Sequence, residues 1–179
     1  DHSGTIRLDY RDGTTGIIAD LTAGTVVDGH SDTDTITGIG SDGRFELAAS
    51  DNADAIVGSA ADERFILRQG DDTLDGGLGF DLVRYDRNNV GSVNVDLAAG
   101  TATGVWDSVA FIDSLTSIEA IRGSRDDADT LAGNGANNWI EARGGNDTIL
   151  GRGGDDTLIG GDGNDAIEGG TGYDRAEFG

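Results

Sequence analysis

Aliphatic or aromatic residues recur every nine positions in two stretches of the chain. In the first, Ile56, Phe65, Leu74 and Val83 each follow an acid by two residues: Asp54, Glu63, Asp72 and Asp81. In the second, residues 124–178, the rows read SRDDADTLA, GNGANNWIE, ARGGNDTIL, GRGGDDTLI, GGDGNDAIE and GGTGYDRAE. Position six of these rows holds Asp129, Asn138, Asp147, Asp156, Asp165 and Asp174. Position eight holds Leu131, Ile140, Ile149, Leu158, Ile167 and Ala176, and glycines crowd positions one to four. One apolar residue between polar neighbours suits a three-residue strand with a single inward side chain, and the glycine-rich remainder suits a tight turn. Two rows then complete one coil. Residues 18 apart in the sequence are expected to stack about one strand spacing (~4.8 Å) from each other.

The pattern before each array is different. Val93, Val95 and Leu97 alternate with polar residues, a strand signal, and the Ala-Gly-Thr that follows reads as a turn. ADLTAGTV from Ala19 matches VDLAAGTA from Val95 at an offset of 76, and DTITGI from Asp34 matches DSLTSI from Asp113 at 79. The arrays superpose at 75, with Asp54 on Asp129 and Asp72 on Asp147, and then at 93, with GGLGFDLV on GGTGYDRA. The chain is therefore a tandem of two units, 1–85 and 86–179. The first has β segments over 5–40 and repeats over 51–85; the second has β segments over 91–122 and repeats over 124–178. The fold class is all-β, with a short turn of helix near Asp113–Ile121 as the expected exception.

Composition changes what such a fold needs. The 179 residues include 28 Asp, 6 Glu and 12 Arg, no Lys, Pro, Cys or Met, and carry a formal charge of −22. Leu, Ile, Val and Phe together make only 40 residues, close to the level at which highly charged chains stay disordered. An ordinary apolar core falls short unless something else supplies folding energy. The charge excludes nucleic acid and an anionic membrane surface as partners and favours bound cations. No apolar run approaches a membrane span, and the lack of Cys removes disulfides and thiolate metal sites. With no leader-like segment and no Met, the sequence reads as a fragment or processed product.

Stacking places Asp147 between Asp129 and Asp165 on one edge and Asp156 between Asn138 and Asp174 on the other. In the first array Asp54 stacks with Asp72, and Glu63 with Asp81. Two carboxylates at ~4.8 Å repel by about 1 kcal/mol in water and roughly 3–4 kcal/mol at an effective dielectric near 20. A hard dication between them reverses the sign. Carboxylates plus turn carbonyls form the flexible all-oxygen set that calcium accepts. The candidate ligands are Asp54, Glu63, Asp72, Asp81, Asp129, Asn138, Asp147, Asp156, Asp165 and Asp174. They are joined by the turn residues Gly70, Gly77, Gly79, Gly145, Gly154, Gly161, Gly163, Gly170 and Gly172. Glu63 and Asn138 depart from the Asp pattern, and SAADER from Ser59 lacks the turn glycines, so the levels they build are the weaker ones.

The rows from Gly76, Gly160 and Gly169 carry Gly, Gly, Gly and Asp at the four places of the consensus G-G-x-G-x-D-x-U-x. The array thus resembles the RTX (repeats-in-toxin), haemolysin-type calcium-binding nonapeptide family. That resemblance implies a parallel β-roll with Ca2+ as its ion. It also implies a type I-secreted module, unfolded at low cytosolic calcium and folded outside the cell, with any catalysis on other domains. Neither H-E-x-x-H nor G-x-S-x-G occurs in the chain, and a non-enzymatic monomer is expected.

Two alternatives are a glycan-binding or adhesin module and a non-catalytic part of a polysaccharide-modifying enzyme, both with extracellular polysaccharide as partner. For these, Trp106 and Trp139 are the candidate sugar-stacking residues, against the plainer reading that they cover the end or flank of the roll. Arg64, Arg68, Arg143 and Arg152 would line an anionic-glycan groove, against the plainer reading that they pair with surplus Asp. His2 and His30 read as loop residues. Phe178 is placed to plug the open end of the aliphatic ladder.

Overall fold

The computed structural model describes residues 6–39 and 45–179 of the chain. His2 lies outside the described residues, as does a small part of the expected 5–40 β segment. The first half carries β1 (Ile6–Asp9), β2 (Ile18–Asp20), β3 (Thr25–Val27), β4 (Thr33–Thr35), β5 (Phe45–Ala48), β6 (Ala55–Val57), β7 (Glu63–Ile66), β8 (Thr73–Asp75) and β9 (Leu82–Arg84). The second carries β10 (Asn94–Asp96), β11 (Thr101–Trp106), β12 (Val109–Thr116), β13 (Ala120–Arg122), β14 (Thr130–Ala132), β15 (Trp139–Gly144), β16 (Thr148–Gly153), β17 (Thr157–Asp162), β18 (Ala166–Thr171) and β19 (Arg175–Glu177). Two compact units result. One is Asp1–Val83 with Asp113–Ile118; the other is Arg84–Ile112 with Glu119–Gly179.

In the first unit the rows stack in parallel as two ladders. Leu8, Leu47 and Phe65 are in register across β1, β5 and β7, and Phe65 meets Val83 of β9. Ala19, Ile56 and Leu74 are in register across β2, β6 and β8. In the second unit Ile121, Ile140, Leu158 and Ala176 form one ladder, and Val95, Leu131, Ile149 and Ile167 the other. The expected separation of 18 is thus the stacking step within each array. Ile56, Phe65, Leu74, Val83, Leu131, Ile140, Ile149 and Leu158 are all essentially inaccessible, so the position-eight residues line the core.

The two DL-x-AGT segments fold alike. β2 pairs with β3, and β10 with β11, as antiparallel hairpins. In each turn an Asp carboxylate accepts the N–H three residues on, Ala23 to Asp20 at 2.8 Å and Ala99 to Asp96 at 2.9 Å. Gly24 and Gly100 share a φ of 69°.

Two sequence expectations fail here. Asp113–Ile121 is not helical: Val109–Thr116 is one strand, with Phe111, Asp113 and Leu115 inward. The inward Asp113 hides an otherwise clean alternation. Phe178 does not plug the ladder; it is 66% exposed. β19 ends at Glu177, so the chain leaves the strand before the Phe178 side chain can turn inward.

Candidate metal centre

The acids at position six form polar ladders beside the aliphatic ones. In each array the backbone N–H at position six donates to Oδ1 of the acid 18 residues later. The distances are 2.9 Å for Asp54 to Asp72, 2.8 Å for Glu63 to Asp81, 2.8 Å for Asp129 to Asp147 and 2.7 Å for Asn138 to Asp156. Asp147 donates to Asp165 at 3.0 Å and Asp156 to Asp174 at 3.2 Å. The hairpins enter the same scheme without an acid of their own. Ile17 donates to Asp54 at 2.6 Å and Val93 to Asp129 at 2.8 Å.

All nine candidate glycines lie in the left-handed region, with φ from 93° at Gly77 to 138° at Gly163. Arg143 and Arg152 occupy the corresponding second position of their rows at φ of 86° and 75°. That conformation costs roughly 1–2 kcal/mol for a residue with a Cβ. Their side chains offset part of this: Arg152 pairs with Asp96 at 2.6 Å, and Arg143 approaches Asp86 at 3.7 Å.

Hydrogen bonding divides the position-six side chains into two kinds. Asp54 accepts from the Ser50 N–H at 2.9 Å and from the Ser50 hydroxyl at 2.8 Å. Asp129 accepts from the Ser124 N–H at 2.7 Å and from its hydroxyl at 3.0 Å. Glu63 accepts from the Ser59 N–H at 3.0 Å and also from the Ser59 hydroxyl. Asn138 accepts from the Asn134 N–H at 2.8 Å. In Asp72, Asp147 and Asp156, by contrast, Oδ2 is buried without a hydrogen-bond partner. The latching Ser or Asn sits at the first or second position of its row, and the rows of Asp72, Asp147 and Asp156 have no hydroxyl or amide there.

Burial raises the carboxyl pKa of Asp54, Glu63, Asp147 and Asp156. It carries Asp129 up to about 6. Asp72 reaches about 8, chiefly through burial and then through the negative charge of Asp113. A buried carboxylate with an unused oxygen calls for a cation or a proton. Among the described residues no three acidic or histidine side chains gather in one cluster. A metal would therefore draw on carboxylates spread along the stacked turns and on the turn carbonyls. Those are hard oxygen donors of the kind calcium takes, and the orphaned Oδ2 atoms of Asp72, Asp147 and Asp156 fit it.

The other candidates fare unevenly. Trp106 is 2% exposed, which removes it as a sugar-stacking platform. It packs in the second unit, where Tyr85 and Phe111 stack at 5.6 Å. Trp139 lies over the Arg122 guanidinium at 5.5 Å. Arg68 pairs with Asp51 at 2.5 Å, and with Arg143 and Arg152 this fits pairing with surplus Asp; Arg64 is exposed. A cleft of about 450 Å³ in the second unit is lined by both signs, Arg125 and Arg143 against Asp126, Glu141 and Asp162. His30 is an exposed loop residue 3.7 Å from Asp28. Among the described residues no helix is long and apolar enough to cross a membrane.

The family profile described as the RTX calcium-binding nonapeptide repeat (4 copies) matches residues 49–83, 124–158 and 142–176. The chain carries RTX calcium-binding nonapeptide repeats of the haemolysin type, and its parallel-rich sheets are those of a β-roll. No curated protein matches it.

The raised carboxyl pKa values fix the sign of a pH effect. A group raised from 3.8 to about 8, as in Asp72, favours the metal-free fold at acid pH, and that contribution is lost as pH rises through about 8. Calcium needs the carboxylate, so binding should release protons and strengthen from about pH 5 to pH 8. Calorimetry near neutral pH in two buffers of different ionisation enthalpy should give different apparent heats. Equal heats would contradict the assignment of buried protonated carboxyls.

Proposed function

We propose that this calcium-binding repeat module folds outside the cell on meeting calcium and then serves as a non-catalytic scaffold that spaces or presents other parts of a secreted protein. The observation that carries this reading is the buried, unpartnered Oδ2 of Asp72, Asp147 and Asp156. Asp147 and Asp156 adjoin glycine-rich turns that stack on the next coil, and Asp72 stacks on β12. Asp72, Asp81, Asp147, Asp156, Asp165 and Asp174 would hold the ions with the carbonyls of their turns. When bound, calcium supplies the positive charge that offsets the acid ladders. Asp54, Glu63, Asp129 and Asn138 are the ends of the ladders, where Ser or Asn donors already serve the side chain, so they bind weakly or not at all.

A structural role fits the position of these oxygens. A catalytic dication needs an open coordination position with an acid or base in reach, whereas Asp72, Asp81, Asp147 and Asp156 are buried and Asp165 and Asp174 partly covered. Extracellular calcium modules work at about 10⁻⁴–10⁻³ M, which separates outside from cytosol.

The ranking of sites gives the test. Asp165→Ala should remove a calcium ion or weaken its binding strongly, while Glu63→Ala should leave the calcium isotherm close to that of the parent chain. Calorimetry giving the reverse order would overturn the assignment of ions to glycine-turn rows. Turnover of an anionic polysaccharide by the isolated chain would overturn the non-catalytic reading.

A further inference from the structure

The Asp72 level departs from the 18-residue step of the arrays. Its next stacking partner is not a nonapeptide row. β12 runs parallel to β8 with Ser114 opposite Thr73, Leu115 opposite Leu74 and Thr116 opposite Asp75. That register puts Asp113 where position six of a further row would fall. The Asp72 N–H donates to Asp113 Oδ1 at 3.2 Å, across 41 residues of sequence and not 18. The flanking backbone closes the pairing: Ser114 N–H donates to the Asp72 carbonyl at 2.7 Å and Gly76 N–H to the Thr116 carbonyl at 2.9 Å.

Two buried carboxylates therefore meet at this level. Asp72 is 1% exposed and Asp113 fully buried. Asp72 Oδ1 is occupied by the Asp54 N–H at 2.9 Å, and Asp72 Oδ2 has no hydrogen-bond partner. No serine latches this row, which opens with Leu67 and Arg68. At Asp54 and Asp129 the serine hydroxyl and N–H fill that need; here nothing in the turn does.

We propose that Asp72 and Asp113 form a calcium site outside the nonapeptide register, in which a connector strand supplies the carboxylate that a further repeat row would otherwise bring. Two carboxylates match the charge of one hard dication, and buried oxygen donors suit calcium. Asp113 leaves a continuous strand, so only the turn at 67–72 can add carbonyls beside it. This ion should accordingly be held more weakly than those between two glycine turns. The site rests on the reading that glycine-turn rows bind calcium, and it ties the 113–118 segment to the first array.

The experiment counts calcium per full-length chain by equilibrium dialysis at saturation, alongside calcium-titrated folding by circular dichroism. Asp113→Asn is the informative variant, because the Asn Oδ1 still accepts the Asp72 N–H while the charge is lost. The site requires one ion fewer than the parent chain and a higher calcium midpoint for folding. An unchanged count and midpoint would overturn it. If Asp113→Asn does not fold, Asp113→Glu keeps the charge on a longer arm. It should keep the parent count with one ion weakened, and undiminished affinity for every ion overturns the site. A parent chain that binds no calcium would instead sink the proposed function, and Asp165→Asn lowering the count while Asp113→Asn does not would leave that function standing without this site.

Discussion

Removing calcium with a chelator is expected to convert the chain from a cooperative β-structure to a largely unfolded one. Ordering a backbone costs about 1–2 kcal/mol per residue, and here only 40 of 179 residues are Leu, Ile, Val or Phe to offset it. The charge of −22 adds self-repulsion. The buried acids sharpen the deficit, since Asp72, Asp147 and Asp156 each hold a buried oxygen with no protein donor. A site filled at about a hundredfold over its Kd contributes roughly 2.7 kcal/mol. A few such sites amount to the whole net stability of an ordinary domain, about 5–15 kcal/mol. Far-UV circular dichroism and a thermal melt, each with and without chelator, check this. An identical β-spectrum melting cooperatively in both would remove calcium as the source of folding energy.

The second large effect belongs to one glycine. Gly163 has a φ of 138°, and a Cβ there would lie 1.6 Å from the carbonyl oxygen of Gly145, one coil earlier. Backbone carbonyls cannot retreat as a flexible side chain can, so Gly163→Ala must push the two turns apart as well as strain its own backbone. The expected loss in the calcium-loaded state is about 3 kcal/mol or more. Gly135→Ala is the matched control, with nothing within 4 Å of its Cβ and no left-handed φ, and should stay within about 0.5 kcal/mol. Melting temperatures at saturating calcium compare the two directly. Equal effects would mean that the turns do not stack as described.

Much of this architecture is legible before any coordinates. The aliphatic period of nine placed Ile56, Phe65, Leu74, Val83, Leu131, Ile140, Ile149 and Leu158 in the core, because one inward residue per three-residue strand leaves a regular trace. The repeated Asp-Leu-x-Ala-Gly-Thr marked two hairpins, since the same Asp side chain and the same glycine build both turns. The turn of helix expected near Asp113–Ile121 is instead strand up to Thr116. Its alternation passes through a buried acid, and a buried acid in a strand looks like a solvent position until its partner is known. That partner, Asp72, lies 41 residues away, and no local period points to it. The serine latches were visible as letters, Ser50, Ser59 and Ser124 ahead of their acids. Their meaning depends on which carboxylate oxygens the stacked coil leaves unserved. Phe178 failed for a related reason: whether a large ring is covered depends on where the chain turns next.

The alternation of rows between two sheets also governs how such a chain can change length. In the second unit, rows nine apart belong to opposite sheets, and rows 18 apart to the same one. Inserting a single nonapeptide would send every later row to the other side and turn each following segment the wrong way round. Inserting a pair only lengthens the stack. The duplicated halves of this sequence align at an offset of 75 and then at 93, a step of 18. The extra material in the longer copy is one whole coil, the smallest increment that leaves everything downstream facing as before.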